Sequence, residues 1–502
     1  MRYRLCGIGL LLASFLMAGQ GVAAPAYDAE TFLLLDRLTF GATASEAARL
    51  KAMGADRWLN AELHPPTADN LPAQVQQEIN ALDMKPMNAL IVDFAAKVKA
   101  LKAISDSDLR VAAAHAYQQE LNDCAKRAAA RSILRDLYSP SQLREVMTWF
   151  WFNHFNVHQY KADIRAMVGD YEDTIRAHAL GHFRDLLEAT LRHPAMLRYL
   201  DNAQNAVGHI NENYAREIME LHTLDVGSGY TQQDVEALAH ILTGVGVDVA
   251  VNPPHVKPAL QDQVVRDGLF VFNPARHDYG DQIFLGHKIK GAGFAEVEEA
   301  LDILTRNPAT ARHISRELAI YFVADDPPDS LVEKMSKTFL RSNGDIAAVL
   351  RTMIDAPEFS ASATKKFKDP VRYVMSAMRL AYEDKVILNT QPVQNWLNRL
   401  AEGLYNYQTP DGYPLVSSAW DGPGQIETRF EIARQIGSGS AGLFKPDMPG
   451  AADSPAFPQI ENALYFDGLQ QTLRPATRAA LDEAQSPQDW NVLFLSSPDF
   501  MR

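Results

Sequence analysis

The stretch Asn211-Glu212-Asn213-Tyr214-Ala215-Arg216-Glu217-Ile218-Met219-Glu220-Leu221-His222 sets how the whole chain is understood. Set on a helix at about 100° per residue, Glu212, Asn213, Arg216, Glu217 and Glu220 share an arc of about 140°. Tyr214, Ala215, Ile218, Met219 and Leu221 take the other side, and His222 falls among them. Three carboxylates, an amide and a guanidinium on one face admit two readings. The face is solvated and laced by the i,i+4 pairs Glu212–Arg216 and Arg216–Glu220, or it is one wall of a polar site. The flanks at 197–200 and 238–242 are strongly apolar, which argues for a central position and a lined pocket or buried polar network.

On either side of this stretch, helical spacing of apolar residues predicts helices over 29–37, 44–53, 57–63, 87–102 and 106–138. Ser139-Pro140 opens another helix, and more are expected over 162–179, 183–191, 194–202, 232–242, 294–306, 310–322, 331–341, 346–354, 370–382 and 426–436. The β signal is two short runs, 269–273 and 283–289, read as a long-looped hairpin around 274–282. The expectation is a mainly α fold: a multi-helix globular body with one small β-hairpin inserted at residues 268–290. One large helical domain spans 25–436, and the Gly- and Pro-rich run after it opens a loop-rich C-terminal extension, 437–502.

The 502 residues are 47% hydrophobic, enough for a large core. A formal charge of −14 makes nucleic acid and anionic membrane surfaces poor partners. The first 24 residues read as a secretory signal, with Arg2 and Arg4, an apolar run over 5–18 and Val22-Ala23-Ala24 at the cleavage site. Cleavage near Ala24 yields a periplasmic or secreted chain with no transmembrane segment, since no later run offers about 20 apolar residues. Cys6 leaves with the signal, so Cys124 has no intramolecular partner.

Trp149 to His158, W-F-W-F-N-H-F-N-V-H, is apolar nearly all round, so Asn153 and His154 are polar groups in a core and need partners. His154 and His158 stand at i,i+4, a spacing that lets two imidazoles hold one metal ion; the alternative is a hydrogen-bonded core His154 with a peripheral His158. His178 and His182 repeat the spacing beside Arg176 and Arg184, whose charge disfavours a second cation. His277-Asp278 lies on the expected hairpin loop, where a carboxylate-oriented imidazole can serve as base or ligand. Neither a phosphate-binding Gly-rich loop nor a G-x-S-x-G elbow is present.

These segments carry a resemblance. L-L-D-R-L-T-F-G-A at 34–42, W-F-N-H-F-N-V at 151–157, H-P-A-M-L-R-Y-L-D-N at 193–202, N-E-N-Y-A-R-E-I-M-E-L-H-T-L at 211–224, L-T-G at 242–244, the run from Phe270 to His277-Asp278 and N-P-A-T-A-R at 307–312 occur in this order. The chain resembles the bacterial family called domain of unknown function 1800 over residues 31–434. It departs from the family pattern at Val245, where Trp is usual, at Gln282, where Lys is favoured, and at His182, where Asn is favoured. The resemblance implies a fold and a set of positions, with no activity attached.

Two functions fit these residues. The first is an exported α-helical enzyme of hydrolase type acting on an envelope or extracellular substrate. Glu217 or Glu220 serves there as base or metal ligand, His154 and His277 as ligands or acid/base, and Arg216 as an anion clamp. A divalent cation, if used, is expected on His154, Glu217 and His277. Asn153, Asp201, Asn202, Asn211, Glu212, Asn213 and Asp278 are the candidate substrate contacts. The second is a non-enzymatic envelope or surface assembly protein with an envelope protein partner, whose polar helix is a structural ion-pair network.

Overall fold

A computed structural model describes residues 26–250, 254–363, 365–446, 452 and 456–502; the signal segment and its cleavage site lie outside the described residues. The helix Ser107–Tyr138 has 32 residues, about 48 Å at 1.5 Å per residue. It is rich in Ala, Leu and Arg, and Asp106 caps it by accepting from the amides of Asp108 and Leu109. Met87–Ala103, Gln142–His154, Val168–His178, Pro370–Tyr382 and Gln391–Arg399 all pack along it.

Gln142–His154 is buried along its whole length, and its polar atoms are correspondingly engaged. Gln142 Nε2 donates to the carbonyls of Asp136 (3.0 Å) and Ser139 (2.9 Å). Trp151 Nε1 donates to the Ala179 carbonyl at 2.9 Å. The helix stops at His154, because Phe155 turns to φ −99°, ψ 50°. His158 is therefore off the helix, and the i,i+4 face joining it to His154 does not form.

The β signal is real but paired differently. β1 (Val245–Val247), β2 (Val265–Asp267) and β3 (Phe270–Phe272) make an antiparallel sheet in the order β1-β3-β2, while β4 (Gln282–Phe284) and β5 (His287–Ile289) form a separate hairpin. The runs expected to pair with each other thus lie in different sheets. The two-residue Leu285-Gly286 turn decides this: both residues have positive φ, 49° and 78°, as a tight type I′ connection requires. Leu285 N also donates to Asp234 Oδ1 at 2.7 Å. Asp234 in turn closes a capping box with Thr231 at the start of Gln232–Ile241, so the hairpin is tied to that helix.

After residue 437 the chain forms the helices Pro475–Asp482 and Pro487–Leu495, where loops were expected from the sequence. The second packs on Pro423–Gly437, with Trp490 and Phe494 stacked at 5.4 Å. The terminus closes over the first helix, Ala29–Leu38: Lys368 Nζ reaches both Asp36 (2.8 Å) and the Phe500 carbonyl (2.7 Å). Among the described residues no helix is long and apolar enough to cross a membrane.

Candidate metal centre

The segment 211–222 is not a regular helix. Asn213–Glu217 is α-helical, and Ile218–Thr223 continues as a π-helix. Leu224 N donates five residues back to the Met219 carbonyl at 2.9 Å, and Thr223 Oγ1 donates to the Ile218 carbonyl at 2.6 Å. The wider turn carries one extra residue, which rotates the downstream side chains by about 100° relative to an α-helix. His222, on this turn, is fully buried.

There its ring stands 5.9 Å from that of His154, and the His154 ring in turn stands 6.1 Å from that of His313. His313 and Glu317 lie at i,i+4 on Pro308–Phe322, a helix started by the Asn307 cap and Pro308. Among the described residues, His154, His313 and Glu317 form a group whose donor atoms all lie within 4.8 Å of one another. His154 Nδ1 is 2.6 Å from Glu317 Oε2, and His313 Nε2 is 3.8 Å from the same oxygen. Asp225 stands at the mouth, 3.7 Å from His313 Nδ1. The side chains grade outward, from 3% exposed for His154 through 12% and 25% for His313 and Glu317 to 57% for Asp225.

The π-turn also orients the imidazoles. A helix end leaves its last carbonyls without intrahelical donors; here His154 Nε2 faces the His222 carbonyl at 3.2 Å and His313 Nε2 faces the Leu221 carbonyl at 3.1 Å. A ring N–H held on a backbone carbonyl is the usual way a ligating histidine is fixed in tautomer, and for His154 it leaves Nδ1 toward Glu317. In His313 the one nitrogen, Nε2, faces both the Leu221 carbonyl and Glu317. His222 is different: both of its ring nitrogens are buried with no hydrogen-bond partner. Burial, reinforced by His154 and His313, holds it well below its ordinary value, so it is a neutral imidazole. Burial disfavours the charged form of His313, but Glu317, Asp225 and the Leu221 carbonyl outweigh it and push the ring up to about 9. Burial likewise opposes ionisation of Glu317, and His154 and His313 overcome it, leaving its carboxyl below the usual value.

The other expected residues are dispersed. Glu212, Arg216 and Glu220 form a half-exposed ladder: Arg216 Nη2 lies 3.0 Å from Glu212 Oε2 and Nη1 3.7 Å from Glu220 Oε1, with Gln232 joining at 3.0 Å. The apolar flanks cover only the other side of this segment, so the polar face meets solvent. Arg216 is engaged there by acids instead of being free to clamp an anion. Glu217 is half-buried outside the histidine group, its carboxyl raised by burial and by Glu220. His277 is sealed in a second neighbourhood, its Nε2 2.9 Å from Glu296 Oε1 and its Nδ1 2.9 Å from the Thr243 carbonyl. His154, Glu217 and His277 therefore do not converge. Asp278 turns away from His277 and holds His240 Nδ1 at 2.6 Å.

The amides brace backbone. Asn153 exchanges two hydrogen bonds with Tyr413, and Asn202 donates to the carbonyls of Leu242 and Val245. Asn213 Nδ2 donates to the Leu200 carbonyl, Asn211 accepts from Asn213 N, and exposed Asp201 pairs with Lys161 at 2.8 Å. His313 and Glu317 are absent from the residues expected from the sequence, although R-H-I-S-R-E shows them at i,i+4 beside apolar Ile314 and Leu318.

No curated protein and no solved structure matches the chain. A family model described as a protein of unknown function (DUF1800) matches residues 33–502. The chain belongs to that family, and the match takes in all three histidines, Glu317 and the C-terminal helices.

Proposed function

We propose that the protein is an exported, metal-dependent enzyme of hydrolase type acting on an envelope or extracellular substrate, with its metal held by His154, His313 and Glu317. The convergence of those donors within 4.8 Å carries this reading. Two imidazoles and one carboxylate suit zinc and neighbouring transition ions better than calcium or magnesium. His222 beside them is unpartnered and neutral, its ring 5.9 Å from that of His154. A cation held by His154, His313 and Glu317 would supply Lewis-acid chemistry, polarising a substrate oxygen or a water. Exposed Asp225 stands beside the group, 3.7 Å from His313 Nδ1, and would be the nearest further carboxylate to a substrate there. The segment before Ala24 supplies the export address.

Zinc titration of the metal-stripped chain by calorimetry tests the proposal. One equivalent bound in the wild type, and none in His154→Ala or His313→Ala variants that retain their fold, is the expected result. If the wild type binds no zinc, manganese, cobalt or iron(II), the metal reading fails. The assembly-protein alternative then gains ground, since the imidazoles would serve only to cap the π-turn.

A further inference from the structure

A second site of different chemistry lies at residues 391–413, against the long helix. Two adjoining cavities of about 210 and 430 Å³ share Asn398 as a common wall, together within the usual size of small-molecule sites, about 300–1,000 Å³. Their polar lining is almost wholly amide and hydroxyl. Asn122, Gln159, Gln391 and Gln394 line the first with Tyr160, and Asn406, Gln408 and Thr409 line the second with Tyr407. Lys126, at the rim of the first, is the charged side chain in either lining.

The amides are set with one end satisfied. Gln159 Nε2 donates to the Leu404 carbonyl (3.2 Å), Gln391 Nε2 to Asn395 (3.0 Å) and Asn398 Nδ2 to the Gln394 carbonyl (2.9 Å). Gln394 Nε2 donates to Thr390 (3.2 Å) and, more weakly, to the Lys126 carbonyl (3.5 Å). The four amide oxygens take no hydrogen bond from any described residue, and the nitrogens of Gln159, Gln391 and Asn398 each keep a second hydrogen. The backbone beneath is unusual. Ala401 and Tyr405 both adopt left-handed φ, 61° and 59°, a conformation that costs energy for residues with a Cβ and concentrates at functional sites. Gly403 between them lies close against the Asn398 amide: a Cβ there would stand 2.1 Å from Asn398 Oδ1. The Tyr160 residue is 56% exposed, with Arg165 supporting the ring from 5.3 Å.

The geometry points to a binding site for a neutral oligosaccharide along this amide- and tyrosine-lined cleft. Each sugar hydroxyl is at once donor and acceptor, which matches an amide and mismatches a charged group. A sugar ring's C–H face packs on an exposed aromatic ring whose rim remains polar. An acidic glycan would meet one cation, Lys126 at the rim, and an extended peptide lacks side-chain pockets, because the apolar lining of the first cavity is limited to Ala125, Ala129 and Leu404. The inference is independent of the metal centre.

Calorimetric titration of the full chain with cello-, malto- and hexa-N-acetylchitohexaose, with an oligogalacturonate and with a neutral Gly-Ser peptide tests it. At least one of the neutral hexaoses should saturate with Kd below about 1 mM. Tyr160→Ala and Gln394→Ala, both on partly exposed side chains, should each weaken that binding about three- to tenfold, while zinc binding is unchanged. His154→Ala should bind the saccharide like wild type, which separates the two sites. Failure of all three neutral hexaoses, binding of the uronate or the peptide instead, or unchanged affinity in both variants would overturn the assignment.

Discussion

Two of the histidine–glutamate contacts among the described residues, His277–Glu296 and His154–Glu317, differ in what surrounds them. His277 and Glu296 meet at 2.9 Å with both side chains fully buried. Glu296 Oε1 also accepts from Gly293 N, closing the cap of Phe294–Thr305, and Thr243 occupies the other side of the ring. The contact ties the loop after β3 to that helix, and its one unused atom, Glu296 Oε2, is buried away from solvent. His154 and Glu317 meet at 2.6 Å, but beside a second histidine, next to an orphaned third, and with Glu317 and Asp225 open to water. The same residue types thus make a buried fastening in one place and a convergent donor set with access in the other. Sequence alone offers both histidines as ligands; only their surroundings separate them.

Breaking the sealed pair should have the largest effect on folding. Removing one partner strands a buried polar group, so His277→Ala or Glu296→Ala should cost about 3–5 kcal/mol in urea unfolding and leave zinc affinity at the remaining folded fraction unchanged. His154→Ala should do the reverse, abolishing the calorimetric zinc binding for a stability loss of about 1–3 kcal/mol.

A third buried carboxylate, Glu172, has no histidine and extends the contrast. Ser132 Oγ and Tyr405 OH donate to it at 2.7 and 2.9 Å, yet burial dominates and lifts its carboxyl to about 7. The folded state therefore holds this proton where the unfolded chain has released it. The contribution is complete below pH 4.5 and is lost as pH rises through about 7, by about 3 kcal/mol. Glu172→Gln should flatten the stability profile between pH 5 and pH 8, measured by urea midpoints. The surface ladder marks the other limit: Arg216→Ala should change stability by less than about 0.5 kcal/mol, and less still in high salt.

Much of the helical body was legible because its starts are locally encoded. Ala44–Met53, Ile346–Ile354 and Pro370–Tyr382 have the bounds read from sequence, each preceded by a capping Thr43, Asp345 or Asp369. Gln391–Arg399 was missed: it is polar, lacks a side-chain cap bond and holds its place through Trp396 and Leu397. The sequence marks β3 and the run holding β4 and β5 but mispairs them, and it does not show β1 or β2, because three-residue strands take their partners from tertiary position. The site was only half legible. His154 stood out as a polar residue in an apolar run, but its partner Glu317 is 163 positions away. His222 falls on the apolar side of the 3.6-residue period and is buried as that implies, but a hydrophobic pattern carries no mark of the π-turn or of the histidines it meets.

The most direct test of the metal centre is anomalous diffraction at the zinc edge from crystals of the zinc-loaded protein. A single strong peak about 2.0–2.2 Å from donor atoms of His154, His313 and Glu317 is the expected result. No peak there, or peaks only on exposed surface carboxylates, would contradict it.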